Sequence, residues 1–311
     1  MASSRSKNST NVRFMKWAIE AADRLAPNLA GELALRAFLT PIRSPRPERE
    51  RALLEVARPL TVSAGGLPLA AWAWGDGPTV LLAHGWGGRG TQFGALVPAL
   101  VNRGRRVVAW DAPAHGDSPG RRTTLAGMAE VIRELAGRVG PVDAVVAHSF
   151  GAAATTIALA RGLDVARVAY VAPLFTIGGA VERFTSALAL SPAARRDFEH
   201  GLATANLAGR DDLEGARLVP RLRNTPLLVA HDRDDREVPY ADGVAVAAAW
   251  PGARLVTTAG LGHRRILADP EVIELVAGFV AGADAPHGLV LDEAARIDRE
   301  LRDPERRFAL E

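Results

Sequence analysis

A chain of 311 residues that is 48% hydrophobic has apolar material for one large core or two modest ones. It contains no cysteine, which excludes disulfides, thiolate metal sites and a cysteine nucleophile. Its 38 basic residues, all arginine except Lys7 and Lys16, are interleaved with 35 acidic ones for a net charge of +3; this scattering excludes a basic nucleic-acid-binding stripe.

Residues 12–39, "VRFMKWAIEAADRLAPNLAGELALRAFL", carry apolar positions at helical spacing around Pro27 and Gly31, which predicts two short helices. Phe14, Trp17, Leu25, Leu29, Leu33 and Phe38 form the expected apolar stripe. That stripe packs on the main body, with a homodimer surface or peripheral membrane contact as the alternatives. The opening "MASSRSKNSTNVRF" lacks the apolar region of a secretion signal, and no apolar run approaches the ~18 residues of a membrane span; cytoplasm is the expected location. Residues 40–50, "TPIRSPRPERE", have a linker composition.

From residue 60 the rhythm changes. Eight β-type runs are expected at Leu60–Ser63, Leu69–Trp74, Val80–His84, Arg106–Asp111, Ala144–His148, Val168–Ala172, Leu227–His231 and Arg254–Thr258. Helical stretches fall near 91–103, 123–138, 150–162, 239–249 and 270–281. Strand–helix alternation with continuously apolar strands predicts an α/β fold, a mostly parallel sheet of about eight strands flanked by helices. The first two runs have no helix between them and read as an edge hairpin. Residues 173–221 contain no strand run and form a helical insertion. The tail from Asp284 is a charged helix or a frayed end. Domain boundaries follow: an N-terminal helical extension and linker at 1–50, a main domain at 51–283 including the insertion, and a charged tail at 284–311.

In a parallel sheet, functional groups gather at the carboxyl ends of the strands. Here those ends read "HGWGG" (84–88), "DAPAHGDS" (111–118), "HSFG" (148–151), "HDRDD" (231–235) and "GLGHRR" (260–265). At Ser149 a strand passes straight into a helix. That forces a tight turn, relieved by the small neighbours Ala147 and Gly151, and exposes the hydroxyl as a nucleophile; the alternative is an ordinary N-cap serine. The N–H of Phe150 stands at the helix start, unpaired within the helix. With the N–H of Trp86 in the glycine-rich loop it is a candidate oxyanion hole. Of seven histidines, His263 is the best candidate base, in a glycine-rich loop after the last strand. Asp232, Asp234 and Asp235 offer the carboxylate to orient it. Asp111 and His115 read as loop-shaping. No metal-ligand spacing, dinucleotide fingerprint or cofactor lysine motif is present, so no cofactor and no metal are expected.

Together "LLAHGWGG", "VVAWDAPAHGDS", "AHSFG", "HDRDDREVP" and "GLGHRRIL" resemble an α/β-hydrolase over roughly residues 60–282. The resemblance implies a Ser149–Asp–His263 triad. The family's acid loop, G-x-x-D-x-x-V-P, lands its aspartate on Asp235, with Asp234 the alternative acid. The chain departs from the family at Ala147 and at Asp232, both glycine in the pattern. A serine rather than an aspartate nucleophile argues against carbon–halogen and epoxide cleavage. The insertion lies where the family carries a helical cap, with Phe175, Phe184, Leu188, Leu190 and Phe198 as cap core or pocket lining. The implied activity is hydrolysis of a carboxylic ester or related acyl bond of a small-molecule substrate through an acyl-enzyme. An acyltransferase or perhydrolase using the same triad and a non-catalytic binding or scaffold protein are the alternatives.

Overall fold

The computed structural model of the protein describes residues 2–206, 213–222, 224–284 and 288–291. All eight expected runs are strands: β1 Arg58–Ala64, β2 Leu67–Trp74, β3 Thr79–Ala83, β4 Arg106–Trp110, β5 Val142–His148, β6 Arg167–Val171, β7 Leu227–Asp232 and β8 Arg254–Thr258. A ninth, β9 Val290–Leu291, was not expected. Its two residues lie parallel to the end of β8, within a segment whose composition reads as tail. The rest of the tail beyond Leu291 lies outside the described residues.

The helices are α1 Ala2–Leu25, α2 Pro27–Phe38, α3 Glu48–Glu55, α4 Leu96–Val101, α5 Leu125–Val139, α6 Phe150–Ala160, α7 Ile177–Ala187, α8 Pro192–Asn206, α9 Gly215–Leu218, α10 Tyr240–Ala249, α11 Gly262–Arg265 and α12 Pro270–Val280. The sheet order is β1-β2-β4-β3-β5-β6-β7-β8-β9. β1 and β2 form the edge hairpin, closed by Gly65 and Gly66, both at positive φ, as a two-residue turn between extended strands requires. From β4 to β9 every pairing is parallel. β3 and β7 are buried along their whole length, because helices cover both faces; this is why their sequences are continuously apolar rather than alternating.

Chain order reverses at β3: β4 lies on one side of it and β5 on the other. Such a switch point opens a crevice at the carboxyl ends of the two strands. The ends of β3 and β5 are the "HGWGG" loop and Ser149.

Over this crevice lie the insertion helices α7 and α8 and, against them, α2. Ala30 and Ala34 are completely buried, and a Cβ on Gly31 would come within 2.6 Å of the Ala194 carbonyl oxygen. These small residues let α2 approach α8 closely. Asp23 accepts hydrogen bonds from the backbone N–H (2.7 Å) and hydroxyl (2.6 Å) of Ser191, and Phe38 packs edge-on against Phe184 and Phe198. The N-terminal helices thus do pack on the body, and of the expected stripe Leu33 and Phe38 take part, but the rest of the contact uses another face. Phe14, Trp17, Leu25 and Leu29 are exposed, while Met15, Ile19, Ala22 and the Ala30–Ala34 face are turned inward. The pattern of large side chains misleads because close helix contact selects small ones.

Residues 40–50 are bound tightly to the loops beneath them. The guanidinium of Arg43 donates to the carbonyls of Ala114, Gly116, Ser118 and Gly120. Arg46 reaches Thr91, Asp111 and Asp117, and stacks over Trp72.

Gly31→Val forces a branched side chain into the α2–α8 contact, and overpacking of this kind costs about 1–3 kcal/mol. Urea unfolding monitored by circular dichroism should show that loss, whereas Leu29→Val on the exposed face should leave the midpoint within about 0.5 kcal/mol of the parent.

Candidate active site

Ser149 occupies the turn between β5 and α6 with φ 54° and ψ −121°. A non-glycine residue at positive φ is strained by roughly 1–3 kcal/mol and persists only where its surroundings impose it. Here the surroundings are the end of β3. A Cβ on Gly151 would sit 2.3 Å from the carbonyl oxygen of Ala83 and 2.6 Å from that of His84, so only glycine fits. Ala147 is fully buried and faces Ala83 across the β3–β5 ladder. With an alanine as its partner, the extra methyl at the family's glycine position is accommodated. The Ser149 hydroxyl makes no capping bond to α6, which removes the N-cap reading and leaves the oxygen facing the crevice.

The glycine-rich loop after β3 lies directly against this turn: a Cβ on Gly85 would be 2.9 Å from Ser149 Cβ. The N–H of Phe150, first in α6, has no partner within the helix, and the N–H of Trp86 takes part in none of the loop hydrogen bonds among the described residues. The two residues meet through their rings, edge to face at 5.1 Å. The loop is braced from behind. His84 Nδ1–H donates to Gly85 O (2.8 Å), and its Nε2 accepts from the N–H of Ala112 (2.9 Å). Asp111 accepts from the N–H groups of Gly90 (2.8 Å) and Asp117 (2.9 Å), and burial raises its pKa. His115 donates to Pro113 O. Asp111 and His115 are thus loop-shaping residues, as expected.

The three carboxylates of the acid loop divide between two tasks. Asp235 Oδ2 lies 2.7 Å from His263 Nδ1, and its Oδ1 accepts the N–H groups of Glu237 (2.8 Å) and Val238 (2.9 Å). His231 Nε2 stands 3.3 Å from the same Oδ2. Burial alone would raise the pKa of Asp235, but these donors outweigh it and hold the carboxyl well below the usual range. Asp234 does not touch His263. Its Oδ2 accepts the N–H of Gly260 (2.8 Å). Asp232, the family's missing glycine, accepts from the Thr258 hydroxyl (2.6 Å) and the Leu261 N–H (3.0 Å). These bonds overcome its burial and lower its pKa. Asp232 and Asp234 therefore pin the histidine loop, and Asp235 holds the histidine.

A further residue, read from sequence only as part of the strand end, is His148. Its ring is packed 4.6 Å from that of His263. Its Nε2–H donates to the His263 carbonyl (3.0 Å), and its Nδ1 accepts from Gln92 Nε2 (3.1 Å). Gln92 in turn accepts from the N–H of Arg89 through Oε1 (3.3 Å). A chain of bonds thus joins the glycine-rich loop to the histidine loop behind Ser149. Nothing in the spacing of the sequence signals it, because its members lie in three separate segments.

Ser149, His263, Trp86 and Phe150 line one cavity of about 980 Å³. Leu174, Ile177 and Phe184 form its wall on the insertion side, and Met15 and Phe38 close it from the N-terminal helices. Of the insertion residues named from sequence, Phe184 lines the cavity, whereas Phe175, Leu188 and Phe198 are buried in the cap core.

Residues 80–274 match the Alpha/beta hydrolase family. The chain is 31% identical over 253 residues to the pimeloyl-[acyl-carrier protein] methyl ester esterase of Xanthomonas axonopodis pv. citri, covering 67% of this chain and 96% of that one. Among solved structures it is similar to a bacterial membrane phospholipase A (TM-score 0.58, 19% identity, 75% of this chain and 88% of that one). It is also similar to Est1E of Butyrivibrio proteoclasticus (TM-score 0.56, 20% identity, 71% and 96%). At these identities the structural likeness speaks for the fold.

Three buried histidines make the site acid-sensitive. Burial pushes His84 down to about 4, His115 to about 3 and His148 to about 3. In the unfolded chain each binds a proton near pH 6.5, so the unfolded state holds more protons below that point and stability falls as pH drops toward 4. Between pH 7 and pH 5 each contributes a loss of about 2 kcal/mol. Denaturant titrations at the two pH values should differ by several kcal/mol; equal stabilities would contradict the burial of neutral imidazoles.

Proposed function

Because the chain belongs to the alpha/beta hydrolase family, we propose that it is a serine hydrolase that cleaves a carboxylic ester through an acyl-enzyme. The observation that carries this reading is the 2.7 Å bond from His263 Nδ1 to a deeply ionised Asp235, in the same cavity wall as a strained, uncapped Ser149.

The proposed steps follow from these atoms. Asp235 fixes the His263 tautomer with its proton on Nδ1, which leaves Nε2 as the base. Ser149 Oγ attacks the ester carbonyl carbon while its proton passes to Nε2. The carbonyl oxygen becomes an oxyanion, held by the N–H groups of Trp86 and Phe150. On collapse, the bond to the alcohol oxygen breaks and the Nε2 proton leaves with the alcohol. Water then attacks the acyl-enzyme, giving its proton to Nε2, and the acid departs as Ser149 regains its proton. The cavity wall of Leu174, Ile177, Phe184, Met15 and Phe38 supports an apolar acyl chain as the substrate's main binding element. The similarity to a pimeloyl-[acyl-carrier protein] methyl ester esterase supports an acyl ester as the substrate class.

A panel of p-nitrophenyl esters graded by chain length tests the reading. Ser149→Ala should lower kcat at least 10³-fold. Asp235→Asn should lower kcat by about 10³–10⁴-fold, and Asp234→Asn, which loses only a loop tether, by less than about tenfold. A larger loss for Asp234→Asn would reverse the assignment of the acid.

His148 acts as a positioning residue in this scheme. His148→Phe frees the backbone of His263 and should reduce kcat by about 10–100-fold with KM little changed, while His148→Gln, which keeps a donor, should recover part of the rate. Equal kcat in the parent and His148→Phe would remove His148 from the mechanism.

A further inference from the structure

The outward face of the N-terminal helices is the most apolar stretch of surface among the described residues. Among the described residues, seven large hydrophobic side chains are exposed, and five of them fall between residues 14 and 42: Phe14 (67%), Trp17 (62%), Leu25 (89%), Leu29 (49%) and Ile42 (51%). Phe14, Trp17 and Leu25 recur at helical spacing on one side of α1, and the rings of Phe14 and Trp17 touch, with centroids 5.8 Å apart. The opposite side of the same helix carries Met15, which lines the cavity, and Ile19, which is buried. Ile42 belongs to both the exposed apolar set and the cavity lining.

Charge decides what the patch fits. The first 19 residues contain Arg5, Lys7, Arg13 and Lys16 and no acidic residue, and the only two lysines of the chain are among them. Of the first carboxylates that follow, Glu20 lies beside Lys16 and Asp23 is turned to Ser191. A second copy brought face to face would set these positive charges against each other. An anionic lipid surface instead attracts them and accepts the aromatic and aliphatic side chains at the level of its headgroups. A helix with an apolar face and basic flanks is suited to lie in that plane. No helix among the described residues is long and apolar enough to cross a membrane.

We propose that α1 docks the protein peripherally on an anionic lipid bilayer, with Phe14, Trp17 and Leu25 inserted. The docking stands on the surface of α1 and is independent of the esterase reading.

Sedimentation of the full-length protein with vesicles tests the proposal. The probes are phosphatidylcholine vesicles and phosphatidylcholine–phosphatidylglycerol vesicles, with the double variant Phe14→Ser/Trp17→Ser as the comparison. Both side chains are exposed, so the variant should keep the parent's urea midpoint and its rate on a short, soluble ester. The parent should pellet with the anionic vesicles, release at high salt and stay in solution with the neutral ones; the variant should bind the anionic vesicles at least about tenfold more weakly. A parent that remains in solution with both vesicles overturns the docking. So does a variant that binds as tightly as the parent, or a parent dimer in gel filtration that the two substitutions convert to monomer. A parent that pellets as expected but hydrolyses no ester supports the docking and overturns the esterase reading alone.

Discussion

The close approach of the Ser149 turn to the end of β3 is the constraint on which the rest of the site depends. Gly151 lies against the carbonyls of Ala83 and His84 with no room for a side chain, and that contact holds Ser149 at φ 54°. Several features follow from it. The hydroxyl cannot cap α6, so it faces the crevice. The first N–H of α6 is left without a helical partner beside the glycine-rich loop. The sheet must also reverse its order here, because a switch point is what opens a crevice at the carboxyl ends of β3 and β5. A strained serine is costly, and the packing of β3, the end of β5 and the start of α6, all buried there, is what stabilises it.

Around this point the structure uses charge sparingly and fixes it firmly. Three carboxylates crowd one short loop, which on sequence makes the assignment of the acid ambiguous. Their partners separate them: Asp232 and Asp234 accept N–H groups from the histidine loop, and Asp235 alone meets the imidazole. The buried histidines His84, His115 and His148 are held neutral by desolvation. Each donates one ring N–H to a carbonyl, so they serve as spacers between loops rather than as charges. The arginines of residues 40–50 do the same from outside, tying carbonyls of the 114–120 turn and the carboxylate of Asp111.

What could be read from the sequence is what local pattern determines. All eight β-type runs, the edge hairpin, the helical insertion and the set of strand ends came from periodicity and from the strand-to-helix junction at Ser149. What could not be read depends on contacts between distant segments. The inward face of α2 is set by its fit to α8, where the small residues Ala30, Gly31 and Ala34 carry the close approach and the larger Leu29 is left exposed. β9 is two residues whose only support is the edge of β8. The chain from Arg89 through Gln92 and His148 to His263 joins three segments with no shared spacing. Residues 40–50 have the composition of a linker, yet they bind the loops of the site, because four hydrogen bonds from one guanidinium do not show in composition.

In the proposed mechanism Ser149, made reactive by His263 and Asp235, forms a covalent intermediate. Stoichiometric labelling with a fluorophosphonate, followed by peptide mapping of the adduct, tests it most directly. One adduct per chain is expected, on the peptide that holds Ser149, and none in Ser149→Ala. A full-stoichiometry adduct on another residue, or ester turnover in a chain that takes no label, would contradict it.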